Sequence, residues 1–310
     1  MGKIAFMFSG QGAQYSGMGK SLYDMGKGAK ELYDTAETLR PGTKEQSFNG
    51  SDEELKITAN TQPCLYLVDL SAAISLNEAG IYADGAAGFS LGEIAALAYA
   101  GAYSYSDGFK IVTERGRFMN DAAAQADTAM CAVLKLDSKT VTEAAGEYEG
   151  LYAVNFNSPG QTVVSGLKSS FGDFEEKIRG LGGRCVMLPV SAAFHSPYMA
   201  SAAESLGKEL LNFSDRIVKP AIPVYSNLTA RPYDSDVVEY LEKQIKSPVR
   251  WQETIENMMS DGYTDFVEVG AGKTLRGLVK KISKEARVYS VEDAATLAET
   301  TEALKSNAEA

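Results

Sequence analysis

Residues 84–100 read Asp-Gly-Ala-Ala-Gly-Phe-Ser-Leu-Gly-Glu-Ile-Ala-Ala-Leu-Ala-Tyr-Ala, and few backbone paths accommodate them. Gly88, Ser90 and Gly92 form a G-x-S-x-G pentapeptide, entered through small residues and left through an alanine-rich run that favours helix. A sharp strand-to-helix turn has these requirements: glycines where two backbone segments pass closely, and a serine pushed out at the tip. In such an elbow the backbone N–H of Leu91 faces the place where an oxyanion would form. The first turn of the helix adds partial positive charge there. The same five residues also suit an ordinary Gly/Ser turn, so the pentapeptide alone leaves both readings open.

Composition narrows the classes. With 310 residues, 45% of them hydrophobic, the chain can bury a large core as one big domain or two smaller ones. A net charge of −11 argues against nucleic acid as a partner, because phosphate binding needs a basic surface. Cys64, Cys131 and Cys185 are widely spaced and in no C-x-x-C pair, which reads as reduced thiols of a cytoplasmic protein rather than a disulfide frame or metal site. The apolar run Ile4 to Phe8 is too short for a signal-peptide core, and no window has the length of a membrane span. The chain has a single histidine, His195. A zinc site of the H-E-x-x-H kind is therefore excluded, and a histidine-activated serine would have only one available base.

Periodicity gives an α/β order. A buried strand at Ile4–Phe8 runs into Ser9-Gly10-Gln11-Gly12, which reads either as a loop offering backbone N–H groups to a ligand or as a plain glycine turn. Helices are expected at Asp24–Leu39 and Glu53–Ile57, with a polar loop between them. A longer one is expected at Thr61–Ala79, with Leu65, Val68, Ala72 and Leu76 on one face. The Ser90 turn and its helix follow, then a helix at Tyr105–Ala123. From Thr128 to Leu188 the order becomes strand, helix, strand, strand, helix, strand, a ferredoxin-like βαββαβ pattern. The expected architecture is a large α/β-hydrolase-like domain with a parallel sheet, residues 1–126 and 190–310, interrupted by a small ferredoxin-like domain, 127–189. Beyond it come a helix from Pro197 to Leu211, a strand at Ile222–Ser226 and a helix near Ser235–Ile245. A helix opened at Trp251, a strand at Asp265–Val269, a basic helix at Thr274–Lys284, a strand at Arg287–Tyr289 and a polar C-terminal helix complete the chain.

Ser90 needs a base, and His195 is the only imidazole. A neutral imidazole that takes the hydroxyl proton makes a serine nucleophilic near neutral pH. A lipase-like hydrolase would carry its acid between serine and histidine, with the histidine near the C-terminus. Here about a third of the chain follows His195 and no H-G-G-G motif is visible, which counts against an esterase.

Six segments in order carry a resemblance: Gly10-Gln-Gly-Ala-Gln14, Gly88-Phe-Ser-Leu-Gly-Glu93, Arg115-Gly-Arg-Phe-Met119, Asn155-Phe-Asn-Ser-Pro-Gly-Gln161, Ala193-Phe-His195-Ser, and Gln244-x-x-x-Pro248-Val-x-Trp251. From Met1 to about residue 290 the chain resembles the malonyl-CoA:acyl carrier protein transacylases of fatty-acid synthesis and the related acyltransferase domains of polyketide synthases. The resemblance accounts for the inserted ferredoxin-like domain, which that family also has. It implies that Ser90 is acylated by the malonyl thioester, with His195 as the base. It implies an oxyanion hole from the backbone N–H groups of Gln11 and Leu91, a main-chain carbonyl near Gln244 orienting the histidine, and Asn157 and Phe194 in support. Arg115 would receive the malonyl carboxylate. A flat, permanently charged fork suits that task, and a charge-assisted hydrogen bond contributes about 1.5–3 kcal/mol, roughly 10- to 150-fold in preference for malonyl over acetyl.

The resemblance further implies coenzyme A thioester as substrate, the phosphopantetheine thiol of acyl carrier protein as acceptor, no bound cofactor or metal, and a monomer in the cytoplasm. Phe89 departs from the family, most members of which carry histidine there. The Ala193-Phe194-His195 ending is similar to that of malonyl-selective polyketide acyltransferases. A discrete polyketide acyltransferase and a serine thioesterase or esterase on the same nucleophile are the enzymatic alternatives, and an inactive carrier-binding module the non-enzymatic one. Lys273, Arg276, Lys280, Lys281 and Lys284 space out as a basic helix face, either a dock for an acidic carrier protein or a merely solvated surface.

Overall fold

Two sheets organise the chain in the computed structural model, which describes residues 2–309 apart from 191 and 235. β1 (Lys3–Phe8) leads through the short helices α1 (Lys20–Asp24), α2 (Lys27–Leu39), α3 (Thr43–Asn49) and α4 (Asp52–Lys56) to the long α5 (Thr58–Glu78). β2 (Gly85–Gly88), α6 (Leu91–Tyr99) and α7 (Tyr105–Ala123) follow. The next run is β3 (Thr128–Leu134), α8 (Ser138–Gly146), β4 (Leu151–Ser158), β5 (Gln161–Leu167), α9 (Phe171–Gly180) and β6 (Arg184–Met187). The chain closes with α10 (Ala200–Leu210), β7 (Val224–Tyr225), α11 (Val237–Ile245), α12 (Trp251–Ser260), β8 (Tyr263–Val269), α13 (Thr274–Ile282), β9 (Arg287–Val291) and α14 (Ala294–Glu309). No helix among the described residues is long and apolar enough to cross a membrane.

The first sheet is wholly parallel in the order β7-β2-β1-β8-β9. Its strand order turns around at β1, so the loops leaving β1, β2 and β8 converge at one crevice, the usual place for a ligand in such sheets. The second sheet is antiparallel in the order β4-β5-β3-β6, with its own core of Val133, Val164, Phe174 and Ile178 beneath α8 and α9. The two meet where Val249 N–H donates to the Val154 carbonyl (2.8 Å) and Phe156 N–H to the Val249 carbonyl (2.9 Å). Those bonds tie the edge strand β4 to the segment between α11 and α12.

Several boundaries differ from the sequence reading. The helix expected at Asp24–Leu39 begins only at Lys27: Asp24 ends a separate helix, α1, and Gly26 between them has a φ of 84°, outside the helical range. The expected polar loop before Glu53 contains α3. Helix α5 is buried on all sides from Thr61 to Ala73, so the single apolar face read from Leu65, Val68, Ala72 and Leu76 understates it: the helix is central, between α2, α6 and α7. The strand expected at Ile222–Ser226 is only two residues long, since Pro223 has no N–H for the ladder and the chain turns away at Asn227. The helix expected from Pro197 begins with a 3-10 turn to Met199. Ser191 and Ser235, where a loop and a helix were expected to begin, lie outside the described residues.

The turn after β2 is set by a backbone crossing. A Cβ on Gly88 would lie 2.0 Å from the Gly92 carbonyl carbon, and one on Gly92 would lie 2.3 Å from the Phe8 carbonyl oxygen. Strand end, helix start and β1 therefore touch with nothing between them. Gly92→Ala is expected to destabilise the fold by about 3 kcal/mol, because main-chain atoms have nowhere to retreat. Gly277→Ala, at an open position in α13, should stabilise by about 0.5–1 kcal/mol. Chemical denaturation of both variants checks the pair; equal effects would show that the crossing has room to relax.

Candidate active site

Ser90 sits at the N-cap of α6 with φ 55° and ψ −104°, outside the ordinary regions for a residue with a side chain. His195, in the loop after the antiparallel sheet, also has positive φ, 61°. Each such residue costs on the order of 1–3 kcal/mol and persists only where its surroundings hold it. The result is contact across the chain: Ser90 Oγ is 2.8 Å from His195 Nε2, and His195 Nδ1 is 3.1 Å from the Gln244 carbonyl oxygen. A carbonyl can only accept, so Nδ1 carries the ring proton and Nε2 is the bare nitrogen that accepts from the serine hydroxyl.

Arg115 enters from α7 and is fully buried. Its Nη2 donates to Ser90 Oγ (3.0 Å) and to Gln244 Oε1 (2.9 Å), and its Nη1 donates to Gln62 Oε1 (2.8 Å). Its Nε is buried without a hydrogen-bond partner. Every partner it has is a neutral oxygen. Burial lowers its pKa to about 10, which leaves it cationic at neutral pH. Burial, with the Arg115 charge second, lowers that of His195 to about 4, so the imidazole is neutral and poised to accept a proton.

Beneath these groups lies a polar cluster of which sequence reasoning singled out only Gln244. Glu93 is buried; its carboxylate accepts from the Asn227 backbone N–H (3.0 Å), from Gln244 Nε2 (2.9 Å) and from the Tyr233 hydroxyl. Gln244 Nε2 also donates to the Ser90 carbonyl (2.8 Å). Burial pushes the Glu93 pKa up, against the pull of these bonds. A signal was available for Glu93, the lone acid in an otherwise apolar run three residues after Ser90. Gln62, Asn227 and Tyr233 carried none.

Of the other expected residues, Gln11, Phe89 and Asn157 line a cavity of about 540 Å³ that opens between the two sheets. Gln11 lies on its wall between Gly10 and Gly12, with its side chain donating to Thr58 Oγ1 (3.2 Å). Gly10 presses on the elbow: a Cβ there would meet the Phe89 carbonyl oxygen at 2.6 Å. Phe89 lines the cavity and packs edge-on against Trp251, ring centroids 5.6 Å apart. Asn157 also lines it, buried, its Oδ1 without a partner. Leu91 occupies the first position of α6, where an N–H has no preceding helical carbonyl. Phe194 is buried, and its carbonyl accepts from Ser165 Oγ (3.2 Å), away from the cavity wall.

The basic face is less regular than its spacing suggested. Helix α13 ends at Ile282, where Ser283 is extended, so Lys284 lies past the helix and Lys273 at its N-cap. Lys273 pairs with Glu292 (3.6 Å), and Lys281 Nζ donates to Gln161 Oε1 at the cavity rim (2.9 Å).

An activated serine, a neutral imidazole and a buried cation within one hydrogen-bonded set make a site for acyl transfer from an anionic acyl group. The chain belongs to the acyl transferase domain family, which it matches over residues 5–307. It is 41% identical to the malonyl CoA-acyl carrier protein transacylase of Bacillus subtilis (strain 168), over 98% of each chain. It is similar to the crystal structure of malonyl CoA-acyl carrier protein transacylase from Clostridium perfringens, with a TM-score of 0.94, 37% identity and 98% of both chains covered. A solved complex of a type II PKS acyl-carrier protein with its malonyl-transacylase gives a TM-score of 0.92 and 30% identity, covering 97% of this chain and 99% of that one.

The depressed histidine has two consequences. Its folded pKa of about 4 lies below the ordinary 6.5. The neutral ring therefore contributes its full stability above pH 6.5, and this is lost as pH falls towards 4, because the unfolded chain takes up the proton first. The contribution is roughly 3 kcal/mol. The acid limb of kcat/KM for acyl-CoA is expected near pH 4, since that limb titrates the free enzyme. A limb at pH 6.5 in a pH–rate profile would mean that the ring is solvated.

Proposed function

We propose that the protein transfers the malonyl group of malonyl-CoA to the phosphopantetheine thiol of acyl carrier protein through a malonyl-serine intermediate, supplying fatty-acid elongation. One observation carries the reading: a buried guanidinium, 3.0 Å from the nucleophile, whose partners are all neutral and whose Nε is unpaired. A buried cation without an acid is costly, and a carboxylate bound bidentately offsets that cost. The malonyl carboxylate brings such a group, and acetyl does not.

Ser90 Oγ attacks the thioester carbon as its proton passes to His195 Nε2. The Leu91 and Gln11 backbone N–H groups hold the oxyanion. Collapse breaks the C–S bond, and the leaving thiolate takes the proton from His195. In the second half the carrier thiol gives its proton to His195 and attacks the ester, and Ser90 leaves and recovers the proton. The Gln244 carbonyl holds the imidazole in the required tautomer and assists its transient positive charge, a role that a carboxylate fills in a Ser-His-Asp triad. Asn157 supports the acyl pocket from its wall, and Phe194 supports the loop that carries His195, its carbonyl accepting from Ser165 Oγ. Neither metal nor redox cofactor enters these steps.

The same reading takes residues 1–126 and 190–310 as an α/β-hydrolase-like domain and 127–189 as a ferredoxin-like insert, in a cytoplasmic monomer. The strand order of the antiparallel sheet supports the second assignment. It also takes the exposed Lys280 and Lys281, the latter bonded to Gln161 at the cavity rim, as part of the dock for an acidic carrier. The solved complex of a polyketide carrier with its malonyl-transacylase favours one second reading, a discrete polyketide acyltransferase with the same chemistry.

Mass spectrometry after exposure to malonyl-CoA should find a malonyl adduct on Ser90 that persists until a thiol acceptor is added; rapid release of free malonate would instead indicate a thioesterase. Arg115→Ala should reduce the malonyl-over-acetyl preference roughly 10- to 150-fold, whereas equal loss of both transfers would remove Arg115 as the selectivity clamp. Reversing Lys280 and Lys281 to Glu should lower kcat/KM for the carrier and flatten its salt dependence, with acylation by malonyl-CoA unchanged. An unaltered salt dependence would exclude the dock.

A further inference from the structure

The Asn227 side chain lies directly beside the nucleophile's main chain. Asn227 Oδ1 accepts from the Ser90 backbone N–H (2.7 Å), and Nδ2 donates to the Gly88 carbonyl (2.7 Å). Those partners determine the orientation of the amide, since a carbonyl only accepts and an N–H only donates. In a parallel ladder, a residue facing position i accepts from the N–H of i+1 and donates to the carbonyl of i−1. Strand β7 makes its last pairing with β2 at Tyr225, opposite Ala87, and its chain turns away at Asn227. The side-chain amide of Asn227 replaces the missing peptide unit opposite Phe89, extending the sheet by one rung under the elbow.

We propose that Asn227 is a positioning residue for Ser90: it clamps the main chain on both sides of Phe89 and so holds the serine in its attack conformation. Three features support the assignment. Asn227 is fully buried, and its own main chain is anchored at both ends, N–H to Glu93 Oε2 (3.0 Å) and carbonyl to the Arg250 N–H (3.2 Å). The clamp spans the residue immediately before the one with φ 55° and ψ −104°, where strain would otherwise relax. It also occupies the Ser90 N–H, which leaves the oxyanion to Leu91 and Gln11. The inference deepens the proposed function and rests on its assignment of Ser90 as the acylated residue.

The test follows single-turnover release of coenzyme A from malonyl-CoA, together with reaction of Ser90 with a small sulfonyl fluoride. Asn227→Ala should slow both by about 10- to 100-fold. Malonyl-CoA affinity, measured in a Ser90→Ala background, should stay within about threefold. Asn227→Asp supplies a signature that a purely structural role lacks. Its protonated carboxyl can both accept and donate as the amide does, and its ionised form can only accept. The charged and titratable groups around it are Glu93, hydrogen-bonded to Tyr233 and to the Asn227 main chain; Arg115 and His195, on the far side of Ser90; and Arg250, whose side chain pairs with Glu253 (2.6 Å). The Asn227→Asp rate relative to the unaltered protein should therefore fall as pH rises, while the Asn227→Ala ratio stays flat. Rates within twofold of the unaltered protein, or a slowing matched by equal loss of affinity, would overturn the clamp. If the unaltered protein forms no malonyl-Ser90, the proposed function fails, and the sulfonyl fluoride rates still decide the clamp.

Discussion

The backbone crossing at Gly88, Gly92 and Phe8 is the constraint on which the rest of the site depends. A strand can pass into a helix within two residues only if the two segments touch main chain to main chain, and any Cβ at either glycine would hold them apart. That contact forces Ser90 into a conformation that no ordinary turn requires, and the strain is held by bonds from elements far apart in sequence. Leu91 then begins the helix, and Gly10 brings the Gln11 loop against the elbow from the neighbouring strand.

Charge is handled by separation. Arg115 and Glu93 are both fully buried, yet no direct bond joins them; the Gln244 amide stands between, its oxygen taken by Arg115 and its nitrogen by Glu93. A direct buried pair would have satisfied the guanidinium and closed it to a ligand. With an amide between, the network still compensates the cation at a distance, while the guanidinium keeps donors for an incoming carboxylate. The same cation, added to burial, holds His195 neutral; under the proposed function it would also receive the substrate carboxylate.

Much of the architecture was legible in the chain. The helix at Tyr105–Ala123 has the bounds expected for it, because Ser104 caps its start and buried positions recur three and four residues apart along its length. Between Thr128 and Met187 the elements follow the expected order of strand, helix, strand, strand, helix, strand. Misjudged elements share a cause. Helix α5 is read as amphipathic only because serine, aspartate and glutamine within it look solvent-facing, whereas Asp69 and Gln62 are buried and bonded inside. The stub β7 is shorter than expected because Pro223 has no N–H for the ladder and the chain turns away at Asn227, whose side chain takes up the next pairing.

By itself the sequence determined the local chemistry: a G-x-S-x-G suited to a sharp turn, one imidazole in the whole chain, an arginine in a distinctive helical context, and the order of strands and helices. These depend on residue type and near spacing, which a linear chain displays. Tertiary structure alone decided that His195, 105 residues beyond Ser90, meets it at 2.8 Å, and that a main-chain carbonyl orients the ring. It likewise decided that Gln62, Glu93 and Asn227 complete the set. Hydrogen bonds between residues from about fifty to well over a hundred positions apart leave no periodicity, and a carbonyl oxygen has no residue type by which it could be recognised.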